Sequence, residues 1–135
     1  MKWKIIFQLS LFGLGMSIAT VFWISSGIEP LFWLGIFLVC AYIIAKQCAT
    51  KHFLHGFLVS LVNCVWITSM HIVFYNTYLA NHPREAAMMA TMPLPDSPRL
   101  MMLLTGPVVG IISGLILGLF AFVAAKFVTR NEVPA

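Results

Sequence analysis

Four glycines set the terms for this chain. Gly106, Gly110, Gly114 and Gly118 recur at a strict spacing of four, within an apolar run that carries no charge from Leu100 to Ala125. On a helix that spacing keeps small residues on one face, drifting slowly around the axis. In water each glycine inside a helix costs about 1 kcal/mol relative to alanine, and four in one helix are hard to account for. In lipid, apolar burial gives helices no drive to meet, and close backbone approach across small residues supplies the contact instead. Residues 98–127 are therefore predicted to form a transmembrane helix that packs tightly along this row.

The remainder of the chain fits the same environment. Of its 135 residues 61% are hydrophobic and 9% are charged, and its mean hydropathy is +0.96. Soluble domains carry about 25% charged residues, which leaves no room here for a separate soluble domain. Three further apolar runs approach or exceed the roughly 20 residues that span a bilayer. The predicted fold class is all-α: a polytopic membrane protein of four transmembrane helices in a compact bundle. One membrane domain covers residues 1–135, with spans at 5–25, 30–46, 51–79 and 98–127 and an outer loop at 80–97.

Within the first span Ser17 and Ala19 resemble a signal-peptide cleavage site, but the apolar run continues to Ile24, so the helix is predicted to stay uncleaved. Ser10, Gly13, Ser17 and Thr20 form a small-residue stripe on it, a predicted partner for the glycine row. Trp3, Trp23 and Trp33 fall near span ends, as an interfacial belt would place them. Residues 83–92 carry good helix formers and are predicted to make a short surface helix in the outer loop, capped by Asn81 or His82. The proline-rich stretch from Met92 to Pro98 reads as irregular, Ser97 as the cap of the last span, and Pro107 as a kink within it.

Charge gives orientation. Lys2, Lys4, Lys46, Lys51, Lys126 and Arg130 fall on one side of the four spans, and Arg84 and Arg99 on the other. That bias predicts both termini in the cytoplasm, in a bacterial inner membrane. The net charge of +4 is explained by these anchoring residues. No basic stretch with interleaved aromatics is present, so nucleic acid is not an expected partner. Cys40, Cys48 and Cys64 form no Cys-x-x-Cys pair and are predicted to be free thiols.

The third span is where chemistry would reside. Gly56, Ser60, Asn63, Cys64, His71, Tyr75 and Tyr78 fall within roughly 120° of one another at helical periodicity, a polar face that should look inward. Ser60, Asn63, Thr68 and His71 are the candidate polar path, because polar groups at membrane depth often mark a site. Interhelical hydrogen bonding by the same residues is the plainer explanation. His52 and His55 share a face, but two ligands are too few to specify a metal; they read as solvated imidazoles at the membrane surface. Haem would need histidines from a second protein. Met88, Met89, Met92, Met101 and Met102 cluster around the outer loop; thioethers bind Cu(I), yet the apolar face of a surface helix accounts for them. No metal or cofactor is therefore predicted. No nucleophile–base pair, phosphate loop or carboxylate pair is seen, which argues against an enzyme. The four predicted spans contain no Asp or Glu, which argues against a pump built on a membrane carboxylate.

The lysine-rich start, the lysine-bearing second connection, and the segment Met92-Pro-Leu-Pro-Asp-Ser-Pro-Arg99 leading to Gly106-Pro107 and the glycine row resemble the uncharacterised small bacterial four-helix membrane proteins grouped as domains of unknown function. That resemblance implies an inner-membrane location and no particular activity. Two functional expectations follow from the residues. The first is a structural, accessory or assembly subunit, working through helix–helix contacts of Gly106, Gly110, Gly114, Gly118, Gly13 and Ser17. Its partners would be the lipid bilayer and either another copy or a different membrane protein. The alternative is a small oligomeric channel or transporter lined by Ser60, Asn63, Thr68 and His71.

Overall fold

The computed structural model of the chain describes residues 1–24, 27–93 and 96–129. Six helices account for most of them: α1 Trp3–Phe22, α2 Glu29–Gln47, α3 His52–Val73, α4 Tyr75–Asn81, α5 Pro83–Met89 and α6 Pro98–Phe127. Among the described residues there is no strand. α1, α2, α3 and α6 are each long and apolar enough to cross a membrane. The turn expected at 25–30, the proline-rich stretch and the tail fall partly outside the described residues.

α3 is the central element, held between α1 and α6. Contacts of Lys2 with His55 and of Thr20 with His71 show that α1 and α3 run parallel. The order of contacts between α6 and α3, Gly106 with Thr68 down to Gly118 with Phe53, makes that pair antiparallel. One end of the molecule, the basal end, gathers Lys2 and the 47–51 connection, where Lys2 Nζ donates to the Gln47 carbonyl. The other, the distal end, carries α4 and α5. A core of Ile6, Leu9, Cys40, Ile44, Val59 and Leu117 joins all four long helices in the basal half.

The glycine row lies against α3 of the same chain. A Cβ on Gly110 would lie 2.8 Å from the Cys64 Cβ, and one on Gly114 2.8 Å from the Phe57 ring. One on Gly118 would lie 2.8 Å from the Phe53 carbonyl oxygen, and one on Gly106 would collide with the Thr68 hydroxyl. α6 is continuous through Pro107. Proline donates no N–H there, and Thr105 turns its hydroxyl back onto the carbonyls of Met101, at 2.9 Å, and Met102, at 3.3 Å.

The stripe on α1 meets α3 instead of the glycine row. Gly13 lies against the Asn63 side chain, Ser10 accepts from Trp66 Nε1 at 3.3 Å, and Ser17 and Thr20 are buried on the same face. Two small-residue rows thus occupy two different faces of one helix. The expectation that they would meet each other is corrected. The reason is that α3 supplies the bulk both rows need: Trp66 and Asn63 toward α1, Phe53 and Phe57 toward α6.

A single third span over 51–79 is also corrected. The helix breaks at Phe74, whose φ of −103° and ψ of 35° depart from helical values, and resumes as α4. Tertiary contacts hold the break. Arg99 Nε donates to the Ile72 carbonyl at 3.3 Å, and its guanidinium lies 4.9 Å from the centre of the Tyr75 ring. Asn81 Nδ2 donates to the Val21 carbonyl at 2.6 Å, tying α4 to the last turn of α1. Neither His82, at the cap position of α5, nor Ser97, at that of α6, makes a side-chain capping bond.

Candidate ligand cavity

α2 rests on α6, with Phe37 and Phe120 edge to face at a ring separation of 6.3 Å, and touches α3 only lightly. The space left between α2, α3 and α6 is a cavity of about 710 Å³, within the range of small-molecule sites, roughly 300–1,000 Å³. Ser60, Asn63, Thr68 and His71, the residues of the polar path, all line it. They do so within one chain, so an oligomer is not required to form the space. Trp33, Phe37, Ile67 and Phe120 give it apolar walls. The distal end is covered by Tyr78 of α4 and by Glu85, Met88 and Met89 of α5, with Met92 following. Glu85, Met88 and Met89 fall at i, i+3 and i+4 on one face of α5; that face is turned over the cavity, and Met92 joins it from the bend that follows the helix.

Polar groups are distributed unevenly around this space. Asn63 is 2% exposed, and neither atom of its amide has a hydrogen-bond partner among the described residues. Cys64 donates to the Gly106 carbonyl at 2.7 Å. At the distal end three rings stack: His71 on Tyr78 at 4.1 Å and Tyr78 on His82 at 4.3 Å. The Thr20 hydroxyl donates to the Ser17 carbonyl at 3.1 Å and also lies 3.3 Å from His71 Nε2. With the hydroxyl proton committed, His71 Nε2 is the donor to Thr20 and Nδ1 is left as an acceptor. His82 Nδ1 donates to the Tyr78 carbonyl at 2.9 Å, and its buried Nε2 has no partner among the described residues.

Two of the four acidic residues of the chain, Glu29 and Glu85, line the same cavity. Trp33 Nε1 donates to Glu29 Oε1 at 3.2 Å, one turn apart on α2, while the buried Glu85 Oε2 has no partner among the described residues. Burial first, and then the carboxylates of Glu85 and Glu29, push the Tyr78 phenol well above its usual pKa, which keeps it a protonated donor. No lysine or arginine is found among the described residues that line the space. No protein-family model matches the chain, and no curated protein or solved structure matches it either.

The four predicted spans hold no acid, but two carboxylates flank them: α2 begins at Glu29, one residue before the expected start of its span, and Glu85 reaches the same cavity from α5. The i, i+4 pair Glu29 and Trp33 was open to sequence reasoning. The return of Glu85 was not, because it depends on the break at Phe74. His52 and His55 are likewise not free imidazoles. His55 is 3% exposed; its Nδ1 donates to the Lys51 carbonyl at 2.8 Å and its Nε2 accepts the Lys2 backbone N–H at 3.1 Å. His52 Nε2 donates to the Cys48 carbonyl at 2.9 Å. These rings fasten the basal end and lie apart from the cavity.

Proposed function

We propose that this chain is a multi-pass membrane protein that binds a small, largely apolar molecule between α2, α3 and α6, as a ligand-binding or transport protein. The cavity of about 710 Å³ carries the reading. It joins the polar face of α3 to apolar walls and is roofed by a surface helix. Membrane insertion is supported by the outward faces of the long helices: Leu11, Leu31, Leu38, Val65, Val109 and Ile112 are each about half exposed or more, more apolar surface than a water-facing protein presents. Lys2, Lys4, Lys46, Lys51 and Lys126 all fall at the ends of helices that meet the basal end. That supports an inner-membrane orientation with the basal end and both termini in the cytoplasm and the roof outside. Membership of a small bacterial four-helix membrane family belongs to the same reading.

The accessory-subunit reading is less favoured. Its motivating feature, the glycine row, is occupied by α3 of the same chain. Native mass spectrometry of the protein released from its own host in mild detergent separates the two. The cavity reading expects a monomer carrying a small-molecule adduct, lost in Ser113→Phe, since Ser113 of α6 lines the space and a phenyl ring there would fill it. A complex with a second protein and no adduct would favour the accessory role.

A further inference from the structure

We infer that the cavity selects a lipophilic organic cation, an amine or quaternary onium carrying apolar groups. This rests on the cavity being a binding site and adds the charge of the ligand. An apolar space with anionic groups at one end leaves those groups poorly solvated, and an opposite charge brought in with the ligand compensates them. Glu29 and Glu85 supply the negative end, and no basic side chain among the described lining residues neutralises them. Glu85 Oε2 is buried and has no hydrogen-bond partner among the described residues. Arg99, the basic residue at the start of α6, is engaged elsewhere, on the Ile72 carbonyl and the Tyr75 ring.

The walls fit the same class of molecule. Trp33, Phe37 and Phe120 present aromatic surface to the space, and ring faces attract cations, more strongly when water is excluded. An inorganic cation is a poor fit. Calcium takes six to eight oxygen ligands, and magnesium keeps a full octahedron of oxygens. Here two carboxylates stand in a mostly apolar lining. A lipophilic anion would face two carboxylates across a low-dielectric space.

The test uses the full chain in nanodiscs of phosphatidylcholine, with empty nanodiscs to subtract partitioning. The probes are tetraphenylphosphonium, tetraphenylborate of nearly the same shape and opposite charge, and neutral triphenylphosphine oxide. We expect saturable binding of the phosphonium at one site per chain and at least tenfold weaker binding of the borate. Glu85→Gln and Glu29→Gln should each weaken the phosphonium at least fivefold and leave the neutral probe within twofold; circular dichroism and thermal unfolding verify that both variants fold. The comparison of opposite charges on the unmodified chain stands even if a variant misfolds. Equal or stronger saturable binding of the borate overturns the inference, as does phosphonium binding indifferent to both substitutions. If the neutral probe binds saturably, is lost in Ser113→Phe, and the phosphonium gains nothing over it, the charge assignment fails and the cavity reading survives. If no probe binds saturably, both fail.

Discussion

Gly56 of α3 and Gly118 of α6 bring two backbones into contact: a Cβ on Gly56 would lie 2.9 Å from the Gly118 Cα and 2.7 Å from the Leu117 carbonyl oxygen. The contact is reciprocal, since Gly118 in turn faces the Phe53 carbonyl. Backbone atoms on both sides cannot move aside as a flexible side chain would. The α3–α6 spacing at the basal end is therefore set by glycines on both helices.

Gly118→Ala should accordingly destabilise the protein by about 1–3 kcal/mol, the usual range for overpacking a well-packed interior. Gly35→Ala is the control. A Cβ there meets nothing within 4 Å, and alanine is the better helix former by about 1 kcal/mol. Thermal unfolding in detergent should show a lower midpoint for Gly118→Ala and an equal or higher one for Gly35→Ala. An unchanged midpoint for Gly118→Ala would mean that the backbones are farther apart.

Gly106 offers a sharper test, because its obstacle is a side chain. A Cβ there collides with the Thr68 hydroxyl, while the Thr68 Cβ is 3.3 Å away. Gly106→Ala alone should be destabilising, and Thr68→Ala in the same chain should recover most of the loss. A double-mutant cycle between contacting residues typically yields about 0.5–3 kcal/mol of coupling. A cycle that closes at zero would place Gly106 away from Thr68.

Asn63 separates stability from binding. Both atoms of its amide lack a partner among the described residues, and such a group costs about 1–3 kcal/mol of desolvation. Asn63→Leu, similar in volume and without the polar atoms, should leave the unfolding midpoint unchanged or raise it. It should also weaken any ligand held at that level of the cavity. If Asn63→Leu is strongly destabilising, the amide has partners that this arrangement does not show.

How much of this was legible in the sequence depends on the range of the interaction. The four long helices follow from apolar runs with prolines and lysines at their ends, and the strict spacing of Gly106 to Gly118 marks a close-packed face. What those glycines face is not local. Phe53, Phe57, Cys64 and Thr68 are ordinary residues until α6 returns antiparallel beside them. The break at Phe74 is also tertiary in origin. Nothing in its own segment forbids helix, and Arg99 and Asn81 hold it from elsewhere. Through that break Glu85 comes to share a cavity with Glu29. The burial of His55 is non-local for a related reason: a histidine among lysines reads as solvated, and only the return of α1 brings the Lys2 backbone N–H to donate to it.

The native cysteines report on the cavity without added probes. Cys64 lines it and is partly exposed, while Cys40 is fully buried in the basal core. A membrane-permeant maleimide, followed by peptide mass mapping, should modify Cys64 well before Cys40. Tetraphenylphosphonium, if it occupies the space, should slow Cys64 at least severalfold and leave Cys40 unchanged. Equal rates at the two thiols would indicate that the cavity is closed to small reagents.

Orientation can be read with two further cysteines placed on exposed, neutral positions. Ala87 is on α5 at the distal end, and Ala49 is in the basal connection between α2 and α3. Lysines gather at helix ends toward the basal side, and such residues are retained in the cytoplasm. In intact cells an impermeant maleimide should therefore label Ala87→Cys, and it should reach Ala49→Cys only after the membrane is opened. The reverse pattern would turn the molecule over and put the roof of the cavity, with Glu85 and Met88, on the cytoplasmic side. Labelling of both in intact cells would mean that copies insert both ways or that the chain does not span the membrane as proposed. In either case the cavity would no longer have a single face from which a ligand enters.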